Sequence, residues 1–133
     1  MPRFEVLSAG ILVGHSELES GDPPMGVASG KFLPMPAYDS IRPLVVALRE
    51  GGSQAHLSLV VREIEGNELD PVGGVIISDY SAELGADGLE VEALGIGYPL
   101  YGELFPDHVG AYDKYWTEKA KEKTANIDLP KNR

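Results

Sequence analysis

An α+β fold with a mostly antiparallel sheet is predicted by three features of this 133-residue chain. Short apolar, β-branched runs recur along it, separated by Gly, Pro and Asn turns. These runs follow one another instead of alternating with helices, which argues against a doubly wound sheet. Helical patterning is confined to a segment after the third strand and to the C-terminal region. The expected plan is therefore one or two short helices after the third strand and a C-terminal helix packed on the sheet.

Residues 4–7 and 11–13 form an N-terminal hairpin around Ser8, Ala9 and Gly10. Its polar continuation stops at Asp22, Pro23 and Pro24, because neither proline can donate to a ladder. Residues 25–33 are the third strand, with small residues in its first half. Residues 37–50 have helical content divided by Pro43, which suits the first position of a short helix over 44–50. Gly51 and Gly52 close that helix. Residues 56–64, HLSLVVREI, form the clearest strand, expected at the sheet centre with His56 on its surface.

Residues 65–68 are a turn, 72–78 an apolar strand of buried character, and 84–88 a loop. Residues 89–93 alternate cleanly, so one face is wet and acidic. A further strand is expected over 98–104. Asp107 is placed to cap a helix over 108–123. Its apolar stripe would be Val109, Tyr112, Tyr115 or Trp116, and Ala120, with Trp116 packed at least partly against the sheet and Tyr112 on the same face. The expected organisation is a single α+β domain over 1–123 and a flexible C-terminal tail over 124–133.

The chain contains no cysteine, which excludes disulfides and thiolate zinc sites. No apolar run approaches a membrane span, and the N-terminus lacks signal-peptide features, so a cytoplasmic protein is expected. The net charge of −10 is unevenly spread. Residues 1–113 hold 18 acids and 5 bases, whereas 114–133 hold 3 acids and 6 bases. Between residues 63 and 113 there are twelve acids and no Lys or Arg. Such a field repels phosphates and favours a basic partner, so no nucleic acid and no membrane is expected to bind.

Several motifs fall short of the chemistry they resemble. GDPPMGVASGKF, residues 21–32, has glycines and a lysine in the order of a phosphate loop. Its glycine spacing is wrong, and Phe32 stands where a hydroxyl should meet magnesium. Asp79, Ser81, Glu83, Asp87 and Glu90 fall at donor positions of a calcium loop, but Leu84 replaces the turn glycine. Gly14, His15, Ser16, Glu17 and Leu18 make half a nucleophile elbow, with Leu18 in place of the second glycine. His15, His56 and His108 lack metal-ligand spacing, and nothing assembles a triad from Ser16 or Ser58 with Asp79 or Asp107. No catalytic residue, metal or cofactor is therefore expected.

Six of the ten aromatics lie between Tyr98 and Trp116, interleaved with Glu103, Asp107 and Asp113. Rings among carboxylates suit a basic protein target. The expected binding residues are Asp79, Glu83, Asp87, Glu90, Glu92, Tyr98, Tyr101, Glu103 and Asp107. The function they suggest is a small acidic protein that docks a basic partner, as an immunity protein or antitoxin does. The alternative is a small enzyme or ligand-binding domain with an acidic pocket around Asp79, Glu83 and Asp87. A homo-oligomer paired through exposed strand edges is a third expectation.

Overall fold

The computed structural model of the protein describes residues 3–128. It is α+β, and its strands form two four-stranded antiparallel sheets. In the first, β1 (Phe4–Ser8) and β2 (Ile11–Ser16) make the expected hairpin. Ala9 and Gly10 both take positive φ at its turn, 49° and 83°. The short β5 (Leu33–Pro34) pairs with β2, and β6 (Leu59–Glu63) pairs with β1. The second sheet runs β3 (Ser20–Asp22), β4 (Val27–Lys31), β8 (Leu89–Ala93), β7 (Val75–Asp79).

The chain passes between the sheets at Leu18 and returns at Phe32. Both side chains are buried, and Phe32 N–H donates to the Leu89 carbonyl. The expected third strand is thereby split between two sheets. One hydrophobic cluster joins them: Phe4, Val6, Val13 and Val61 come from the first sheet, and Ala28, Ile77 and Val91 from the second. Tyr101, Leu104 and Phe105 extend the cluster.

The two short helical segments after residue 34 are a 3-10 turn, Pro36–Ser40, and α1 (Arg42–Ala47), with Pro43 in its first turn. There its missing N–H costs nothing. Two further short turns, α2 (Ser81–Leu84) and Gly85–Gly88, join β7 to β8.

Three expectations are corrected. The 56–64 strand begins only at Leu59, because Ala55–Leu57 is a 3-10 turn and Ser58 is left-handed at φ 49°. His56 is exposed in that turn, and β6 lies at a sheet edge, not at its centre. The 98–104 segment is a helix, α3 (Leu100–Leu104), preceded by Pro99, which offers no ladder donor. The last helix, α4 (Pro106–Asp128), starts on Pro106 at its first position instead of on an Asp107 cap, and it runs past residue 123. Of the expected 124–133 tail, residues 129–133 lie outside the described residues.

α4 meets α3 and β3 through its first turns. Trp116 is half-exposed, at 52%, as is Tyr115, at 54%, and the Trp116 ring meets those of Tyr112 and Tyr115. Among the described residues no helix is long and apolar enough to cross a membrane.

Candidate functional site

The expected site carboxylates separate into two sets. Asp79, Glu83 and Asp87, expected on a surface loop, each hold a base from a distant part of the chain. Asp79 ends β7 with its side chain only 1% exposed. Tyr38 donates to Asp79 Oδ2 at 2.6 Å and Arg42 donates to the same oxygen at 3.0 Å. Asp79 Oδ1 accepts from the Ser81 amide at 2.9 Å and from the Ser81 hydroxyl at 2.5 Å.

Burial alone would raise this carboxyl, but the bonds from Ser81 and Tyr38 and the Arg42 charge outweigh it and hold it below its ordinary value. Burial, with Asp79 as its acceptor, pushes the Tyr38 phenol far above the usual range. Glu83 forms a two-pronged ion pair with Arg49, at 3.1 and 2.9 Å. Asp87 pairs with Lys31 at 3.0 Å. The three point to different partners and do not line one pocket. Among the described residues no three His, Asp or Glu side chains gather to hold a metal ion.

The second set gathers around Glu19, a residue the sequence patterning passed over. Leu18 is buried with φ at 47°, a left-handed conformation uncommon for such a side chain. Two bonds hold it there. Its N–H donates to Ser16 Oγ at 3.0 Å, and His108 Nε2–H donates to its carbonyl at 2.8 Å. The kink sets Glu17 and Glu19 outward on either side. Glu19 Oε2 accepts from the Lys31 amide at 2.8 Å. Gly30 makes that approach possible, since a Cβ there would collide with the Glu19 carboxylate.

Glu90 and Glu92 project from the outer face of β8, opposite Lys31 and Ser29 of β4. Glu19 and Glu90 line a groove of about 420 Å³. Among the described residues neither Glu90 nor Glu92 has a basic partner, because the Lys31 ammonium is taken by Asp87. Burial, Glu92 and Glu19, in that order, raise the Glu90 carboxyl above its ordinary value. On its other side Glu19 lines a second groove, of about 430 Å³, with Glu17, Glu103 and Asp107. Three of the expected residues (Glu90, Glu103 and Asp107) thus line grooves that share Glu19, with Arg3 also in the second groove, and Glu92 stands beside Glu90 on β8.

The aromatics of the expected site divide as well. Tyr101 is wholly buried, which corrects its assignment to a binding surface. Its hydroxyl donates to the Val27 carbonyl at 2.8 Å, and its ring meets Phe105 at 5.1 Å. Burial, with smaller effects from Tyr98 and Asp22, pushes its phenol up to about 12. Tyr98 is 56% exposed and donates to the Pro23 carbonyl at 2.9 Å.

Comparison of the chain with known protein families, with curated proteins and with solved structures finds no match in any of the three. The chemistry of the site therefore rests on its own residues. Asp79 bonds to no histidine, and Ser16 Oγ is engaged by the Leu18 amide. The acidic face presents carboxylate acceptors, of which Glu19 is fixed by the Lys31 amide, that complement ammonium and guanidinium groups.

Proposed function

We propose that the protein binds a basic protein partner through the face built by Glu19, Glu90, Glu92, Glu103 and Asp107. The observation that carries this reading is the placement of Glu90 in one groove with Glu19 and beside Glu92 on β8, with no basic partner among the described residues; burial and these like charges oppose its ionisation. Like charges held together weaken the compact state. A cationic ligand removes that repulsion on binding, so part of the interaction energy is stored in the unbound face. Asp79 and Glu83 pair with Arg42 and Arg49 away from this face, and Asp87, which lines the groove of Glu19 and Glu90, is paired there with Lys31.

The natural class of partner is a protein with a phosphate-binding surface, whose lysines and arginines match a dense array of carboxylates. An immunity protein or antitoxin that covers such a surface on a nuclease-like toxin is the concrete form of the proposal.

Affinity capture from the native host tests it, with the wild type and E90K/E92K as paired baits at low salt. The expected result is a protein of isoelectric point above about 9 retained by the wild type alone. Raising salt toward about 1 M, where the screening length falls to about 3 Å, should release it. Identical capture by both baits would overturn the proposal.

A further inference from the structure

α4 outruns the body on which it starts. From Asp113 to Thr124 every side chain is exposed. A polar helix without packing is marginal in water when shorter than about 12–15 residues. The side of α4 that begins against β3 with His108 and Tyr112 continues outward as Tyr115, Trp116, Lys119 and Lys123, at three- and four-residue steps. Lys119 Nζ already lies 5.8 Å from the Tyr115 ring centre. The stripe is therefore aromatic near the body and cationic beyond it.

At the foot of α4 is a groove of about 380 Å³. Glu19 and Asp22 stand on one wall, Tyr112 and Tyr115 on the other. Carboxylates facing aromatic rings are the surroundings an ammonium group prefers.

We propose that the occupant is a second copy of this chain, docked antiparallel along α4, with Lys119 and Lys123 of each copy directed to the groove of the other. A two-fold axis between residues 117 and 118 sets Tyr112 opposite Lys123 of the second copy and Trp116 opposite its Lys119. Such a contact is isologous and closes on itself.

Charge selects this occupant and this orientation. Residues 1–113 carry −13 and residues 114–133 carry +3. Two bodies brought face to face repel. The antiparallel arrangement instead lays the positive segment of each copy against the negative body of the other. The groove shares Glu19 with the acidic face proposed above but not Glu90 or Glu92, so E90K/E92K tells the two readings apart.

Sedimentation equilibrium at low and high salt decides it, with circular dichroism confirming that each variant keeps its helix content. The wild type should dimerise at tens of micromolar in low salt. Its dimer should weaken about tenfold or more as the screening length shrinks from about 10 Å to about 3 Å. K119E/K123E and D22K should each be monomeric at the same concentration, and W116A should pair more weakly. The triple variant D22K/K119E/K123E should recover the dimer, and E90K/E92K should dimerise as the wild type does. A wild type that stays monomeric would overturn the proposal, as would a dimer indifferent to K119E/K123E or a charge swap without recovery. Capture of the monomer by phosphatidylserine vesicles through Lys119 and Lys123 would also overturn it, making an anionic surface the occupant.

Discussion

Removing the Asp79 carboxylate leaves the Tyr38 hydroxyl, the Ser81 amide and the Arg42 guanidinium without their common acceptor. Breaking a buried pair on one side costs about 3–5 kcal/mol. Arg42 is 36% exposed and can rehydrate, so Asp79→Ala belongs at the low end, about 3 kcal/mol. The pH dependence has a definite sign. The folded carboxyl titrates below its unfolded value, so its contribution is complete above the ordinary aspartate pKa of about 3.9. That contribution is lost as pH falls through the lower, folded value. Glu90 acts oppositely: its carboxyl is raised, and protonation on acidification relieves repulsion. Urea unfolding of Asp79→Asn from pH 7 down to pH 3 should therefore show lower stability at neutrality and a shallower loss in acid than the wild type. Coincident curves for the two proteins would show that Asp79 ties nothing together.

At the scale of elements, the outer edge of β7 is closed by side chains, Arg49 at the Asp79 carbonyl and Gln54 at Ile77. Gln54 Nε2 donates to the Ile77 carbonyl at 2.8 Å, and Gln54 Oε1 accepts the Ile77 amide at 3.0 Å. A neighbouring strand would make the same two bonds, so Gln54 blunts an edge that could otherwise template pairing. Gln54→Ala orphans a buried donor and a buried acceptor, and it should cost about 1–3 kcal/mol. The Ile77 amide should become one of the fastest-exchanging in β7. A loss below about 0.5 kcal/mol, within the range of ordinary surface changes, would show that water replaces the amide without penalty.

Elements with local causes were legible in the sequence. The first hairpin follows from a Gly turn between apolar runs, and the acidic face of β8 follows from strict alternation. β3 was not legible, because Ser20, Gly21 and Asp22 have no strand preference and pair only through tertiary contact with β4. α3 was misread because Tyr98, Leu100 and Leu104 suggest a strand, while Pro99 starts a helix. The same distinction governs the site. Glu90 and Glu92 could be found from their spacing. Glu19 could not, since its place depends on the Leu18 kink between two sheets. The bases that neutralise Asp79, Glu83 and Asp87 lie 37, 34 and 56 positions away, so the acidic run looked uncompensated throughout.

Across the whole molecule, the fold sorts seven of the twelve acids between residues 63 and 113: Asp79, Glu83 and Asp87 are tied down by Arg42, Arg49 and Lys31, and Glu90, Glu92, Glu103 and Asp107 lie on the side of Glu19. That sorting is the central claim, and a cationic probe reads it directly. An amide chemical-shift titration of the uniformly ¹⁵N-labelled protein with an oligolysine peptide at low salt should move resonances at Glu17, Glu19, Glu90, Glu92, Glu103 and Asp107. Amides of α2 should stay in place, and salt should abolish the response. Shifts centred on residues 79–87, or spread evenly over every carboxylate in the chain, would contradict the account.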